Sequence, residues 1–95
     1  GAPGKATPKA GYLFKILAKQ GATANGGERD YISKGNMTLG YALIAFPAEY
    51  GKSGKNSFMI NNTGTIYQKD LGAETHALVE KMTEFNPDKS WAPME

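Results

Sequence analysis

Few residues in this chain could do chemistry, and their spacing argues against each chemistry in turn. The run GKSGK, residues 51–55, resembles a loop that cradles phosphate. Such a loop needs GxxxxGK followed by Ser or Thr, because the first glycine lets the backbone wrap the phosphates and the hydroxyl holds magnesium. Here Glu49 stands where the first glycine belongs, and Asn56 stands where the hydroxyl belongs. The run reads instead as a polar corner between strands. His76 is the only histidine and there is no cysteine, so a zinc site would need unusual all-carboxylate support. No GxSxG elbow accompanies it, and in a first helical turn it reads as a surface residue. Glu49 and Asp70 could serve as an acid–base pair, but nothing in their spacing makes them converge. A calcium loop at Asn61, Asn62 and Asp70 lacks the DxDxDG pattern and its distal glutamate. The expectation is a chain without catalytic residues, cofactor or metal, and not an enzyme.

The elements that would carry any site belong to one small domain. A chain of 95 residues buries only about 60–65% of its unfolded surface, which limits the core. No apolar run reaches the ~18–20 residues that would span a bilayer as a helix. Net charge is only +2, but it is unevenly spread. Residues 1–27 carry Lys5, Lys9, Lys15 and Lys19 with no acid, whereas residues 70–95 carry six acids against Lys81 and Lys89. Two readings stay open. The charges are either two solvated faces, or complementary ends through which one subunit meets the next. Nucleic acid is not an expected partner, because the lysines are dispersed and Arg29 is the only arginine.

Residues 1–10 (GAPGKATPKA) read as a flexible or partner-ordered tail, and residues 11–95 as the single domain. Residues 12–17 (YLFKIL) form an apolar run whose aromatics favour a strand. After a flexible loop at 21–27, residues 30–33 read as a short strand, and Lys34-Gly35-Asn36 as a tight turn. Residues 37–46 give the strongest strand signal. Tyr41, Leu43 and Ala45 alternate with Ala42, Ile44 and Phe46, so both faces are apolar and the strand belongs at the centre of its sheet. Pro47 ends it. Residues 58–61 and 65–69 read as a hairpin turning at Asn62-Thr63-Gly64, with Gly64 at positive φ. Residues 73–85 read as a helix with Leu78, Met82 and Phe85 as its apolar stripe. Glu74 complements its dipole, Asn86-Pro87 stops it, and Trp91 anchors the short tail. The expected fold is α+β: a small antiparallel sheet with one C-terminal helix packed on a face.

The contact candidates are the charged ends and one aromatic. Tyr50 follows the strand-ending proline inside a polar corner, where an exposed aromatic would suit recognition. With it go Lys5, Lys9, Lys52 and Lys55 on the basic side, and Glu80 and Glu84 on the acidic side.

The segments GYLFKILAKQG, NGGERDYISKGNMTLGYALIAFPAEYGKSG and NSFMINNTGTIYQKDLG together resemble a family of secreted bacterial proteins catalogued as domain of unknown function 2950. FPAEYG and IYQKDLG are the most specific pieces, and Ala73 departs from the proline that often follows DLG in that family. The likeness is to the family's C-terminal half. It implies export to the periplasm or the cell exterior, and no activity. A weaker likeness relates GKSGKNSFMINNTGTIY to the last hairpin of pilin and pseudopilin heads.

These readings lead to two expectations of function. The first is a secreted, non-catalytic structural or docking domain that self-assembles head to tail, with itself or another envelope protein as partner. The alternative is an envelope binding module for a small ligand or glycan at Tyr50 and the 48–56 corner.

Overall fold

The computed structural model describes residues 11–24, 26–37 and 39–94. The tail with Lys5 and Lys9 lies outside the described residues. Five strands form the main sheet: β1 (Tyr12–Leu17), β4 (Ala42–Pro47), β5 (Asn56–Asn61), β6 (Ile66–Asp70) and β8 (Ala92–Met94), in that spatial order and antiparallel throughout. Between β1 and β4 the chain makes β2 (Lys19–Gln20) and β3 (Arg29–Asp30). After β6 come one short helix, α1 (Thr75–Lys81), and β7 (Glu84–Phe85). A second sheet is built as β3-β2-β7, in which β2 and β7 run parallel. The described residues are mostly antiparallel sheet with a single short helix, broadly α+β.

The β5–β6 hairpin follows from its turn. The buried Asn61 accepts through Oδ1 from the Thr63 amide at 3.1 Å, and Gly64, with φ of 90°, donates its amide to the Asn61 carbonyl. This Asx turn sets a register that pairs Ile60 with Ile66 and Met59 with Tyr67.

Alternation then sorts the side chains into two faces. On one, Leu17, Ala42 and Asn61 share one cross-strand row, and Ile44, Met59 and Tyr67 another. This face holds the core: Leu17, Ala42, Ile44 and Met59 are buried together with Val79 of α1, Phe85 of β7, Tyr31 and Trp91. Each fully buried aliphatic contributes roughly 1.5–3 kcal/mol. Tyr67 closes the layer edge-on against Phe85, with ring centroids 5.8 Å apart.

Several elements differ from the sequence expectation. The strand expected over residues 37–46 begins only at Ala42. Gly40, at φ 144°, turns the chain hard against the Tyr31 ring, and Met37, Leu39 and Tyr41 stay exposed. Nor is that strand the centre of the sheet, because β1 takes the outer position beside it and β5 becomes the middle strand. The helix is seven residues long, not thirteen. It ends at Lys81 because Met82 is already extended, with ψ of 130°, and Phe85 joins β2 as a parallel partner. The Leu78–Met82–Phe85 stripe is therefore not a helical face: Leu78 is exposed, and Thr75 and Val79 are the buried helical residues. Glu74 is the residue just before the helix and makes no side-chain cap. Trp91 is buried, as an anchor should be, and the strand after it was not anticipated.

Candidate functional site: the open face of the sheet

The register of the main sheet leaves one face uncovered by the core. On that face Ile16, Leu43, Ile60, Ile66 and Met94 are consecutive cross-strand partners, one from each of the five strands. All five are aliphatic. A second row, Phe14, Ala45, Phe58, Gln68 and Ala92, runs beside the first. Phe14 is 48% exposed, Ile16 61% and Met94 42%, while the inner positions are half-buried. Tyr41, also 48% exposed, extends the same face from just before β4, paired through its backbone with Asn62.

A polar border closes one end of this surface. The Tyr12 hydroxyl donates to the Asn56 carbonyl at 3.1 Å, and its ring lies 5.9 Å from that of Phe58. Asn56 Nδ2 donates to Gln68 Oε1 at 2.9 Å. Further along, the Tyr50 hydroxyl donates to Asp70 Oδ1 at 2.6 Å. That bond, helped by the Gly72 amide and by the charge of Lys55, holds the Asp70 carboxyl below its ordinary range. The same bond, with burial second, raises the Tyr50 phenol. An apolar centre with a satisfied polar rim is the anatomy of a recognition surface.

Apart from Lys5 and Lys9, which lie outside the described residues, each residue singled out from the sequence now has a place. Tyr50 is half-buried and spends its hydroxyl on Asp70. Lys55 stands close enough to Asp70 to act on its carboxylate, and Lys52 lies 3.8 Å from Glu49 in an exposed pair. Glu49 and Asp70 thus answer to different partners. His76 is exposed, yet its Nε2 is 2.9 Å from the Pro47 carbonyl and its ring meets Phe46 edge-on. Glu80 lies on α1, and Glu84 sits opposite Lys19 in the parallel β2–β7 pair. Lys15 reaches the end of the same helix, donating to the Val79 carbonyl at 2.8 Å and to that of Glu80 at 2.9 Å. The basic segment and the acidic segment are therefore neighbours within the fold at these positions.

The residues missed from the sequence are those of the open face: Phe14, Ile16, Phe58, Ile60, Ile66 and Met94. Their signal was alternation in β1, β5 and β6, which marks two apolar faces without saying which one is left open. A cleft of about 260 Å³ also lies between α1 and Trp91, bordered by Met59, Met82, Lys81, Glu84 and Asn86. It falls just below the roughly 300–1,000 Å³ of ordinary small-molecule pockets. Among the described residues, no three His, Asp or Glu side chains gather where a metal ion could be held, and no helix is long and apolar enough to cross a membrane.

No curated protein and no solved structure matches the chain, so the pilin-head likeness stands without support. The family model described as "Protein of unknown function (DUF2950)" matches residues 1–94, and the chain belongs to that family.

Proposed function

We propose that this chain is a secreted, non-catalytic docking domain of the bacterial cell envelope or exterior, and that the open sheet face is where it docks. The observation that carries the reading is the uninterrupted aliphatic row from Ile16 to Met94 across all five strands. Apolar patches beyond about 300–600 Å² are unusual on monomers and mark interaction sites. In this reading α1 packs on the covered face and leaves the opposite one to a partner. The charged segments adjoin within the fold at Lys15 and Lys19, which favours the apolar face over charge polarity as the assembling surface. Export is the expectation that the family resemblance carries. The ligand-module reading at Tyr50 takes second place, because the phenol and the Asp70 carboxylate are already engaged with each other.

The absence of native cysteine makes the test direct. Single cysteines at Ile16 on the face and at Glu80 on the exposed helix surface would be labelled with a maleimide in intact producing cells. Docking predicts that the Ile16 position is protected while the Glu80 position reacts freely. Equal labelling at both positions would overturn the reading.

A further inference from the structure

We propose that the partner seated on this face is a second copy of the same chain, sheet against sheet, in a closed two-fold dimer. The proposal rests on the reading of the face as a docking surface and names its occupant.

The argument begins with charge. A two-fold contact sets a patch against itself, so any charge near its middle faces a like charge. The two rows at the centre of this face contain no charged residue: nine apolar side chains and Gln68. The charged strand residues of the main sheet lie elsewhere. Lys15 and Lys69 alternate to the covered face, where Lys15 is held by α1 and Lys69 donates to Ser90. Asp70 sits at the rim, bound by Tyr50. A surface made for a charged partner would carry the opposite sign; this one carries none and is complementary to its own copy.

Size and shape agree. Aromatic side chains each present about 150–250 Å² when open. Phe14, Tyr41, Ile16 and Met94, each more than two-fifths exposed, together with the half-buried interior of the face, leave several hundred Å² of mostly apolar surface. That approaches the ~800 Å² per partner of a standard stable interface. Two such sheets stack about 10 Å apart with strands within roughly 30° of each other, as in a β-sandwich. Because β5 is the middle strand, a two-fold axis lying between the sheets and running along β5 stacks β5 on β5 and β4 on β6. Phe58 and Ile60, on the open face of β5, then each face their own counterparts, whereas residues of the other strands face those of a different strand.

Sedimentation of the full 95-residue chain over a range of concentrations tests the oligomer, and an Ile60→Cys variant tests the geometry. The dimer predicts a species of twice 10.2 kDa that persists at high salt, and rapid disulfide cross-linking of I60C under mild oxidation. A Glu80→Cys control should not cross-link. Ile16→Glu places a charge at an exposed edge position that the fold tolerates, which far-ultraviolet circular dichroism would verify. It should weaken dimerisation by at least about tenfold. A monomer at every soluble concentration, with no I60C cross-link, would overturn the dimer. If the Ile16 position is nonetheless protected in cells, the face docks a different protein; if it is labelled freely, the docking reading fails as well. Open-ended species that shrink at high salt would replace the closed dimer with head-to-tail contacts between charged ends.

Discussion

The ammonium of Lys15, in the first strand, donates to the Val79 carbonyl at 2.8 Å and so sits at the C-terminal end of α1. The Val79 carbonyl already accepts from the Met82 amide at 3.0 Å, so the lysine adds a second donor there, serves the Glu80 carbonyl as well, and offsets the partial negative charge of the helix end. The bond links residues 64 positions apart and ties the edge strand to α1.

Lys15→Met keeps the apolar stem and removes both bonds. Hydrogen bonds to charged groups contribute about 1.5–3 kcal/mol when sheltered, and this half-buried pair should yield about 1–2 kcal/mol. Urea denaturation would read it as a lower midpoint with an unchanged slope. An unchanged midpoint would mean that water serves the helix end as well as the lysine does.

Val79 and Leu78 are adjacent in the helix and opposite in burial, at 2% and 44% exposed. Val79→Ala should cost about 1–3 kcal/mol through lost burial and the cavity left behind. Leu78→Ala should stay within about 0.5 kcal/mol. The reverse order in thermal melts would mean that the helix is rotated from the orientation described.

Tyr50 and Asp70 make a pH prediction. The Asp70 carboxyl is lowered first by the Tyr50 hydroxyl and then by the Gly72 amide. Its contribution is therefore present above the unfolded carboxyl's pKa and is lost as pH falls through the lower folded value. Tyr50→Phe should move the Asp70 carboxyl up toward its ordinary range in a carbon-13 NMR titration. No movement would show that the amide, and not the phenol, holds the carboxylate.

Tyr31 responds at the other end of the scale. It is fully buried, its hydroxyl donates to Gln20 Oε1 at 2.8 Å, and burial raises its phenol despite the opposing pull of Asn61 and Arg29. With the folded pKa above the unfolded one, this stability is present below about pH 10 and disappears as pH rises through the folded value. Alkaline titration followed by ultraviolet absorbance should show Tyr31 and Tyr50 ionising later than the other tyrosines, the Tyr31 share together with unfolding. Tyr31→Phe should remove the share of the late step that accompanies unfolding and leave that of Tyr50.

What could be read from the residues follows their physics. The β5–β6 hairpin was legible because Asn62-Thr63-Gly64 fixes a turn, and the turn fixes the register. Residues 12–17 were legible by aromatic content. The end of the helix was not, because Leu78, Met82 and Phe85 suit a helix continued to residue 85 as well as one that stops at Lys81 and turns into a strand. Strands of two or three residues, such as β2, β7 and β8, are too short to show a period. The site was half-legible. Two apolar faces on β4 were plain, but the exposed one is decided by long-range pairing with β1 and by the return of β8 beside β6.

That return of β8 has a consequence for how the molecule assembles itself. Strands β4, β5 and β6 follow one another along the chain through short connections, whereas β1 and β8 are joined to their neighbours only across long intervening segments. Closing a long loop costs chain entropy before its contacts reward it, so non-local pairings form late. The three middle strands are therefore expected to form the folding nucleus, with the outer two zipping on afterward and coming away first. Amide exchange should rank them in that order, with the amides of β5 slowest. The row from Ile16 to Met94 is then complete only when the last strand has docked: the surface is a late product of folding, withheld from other chains until the fold beneath it is finished.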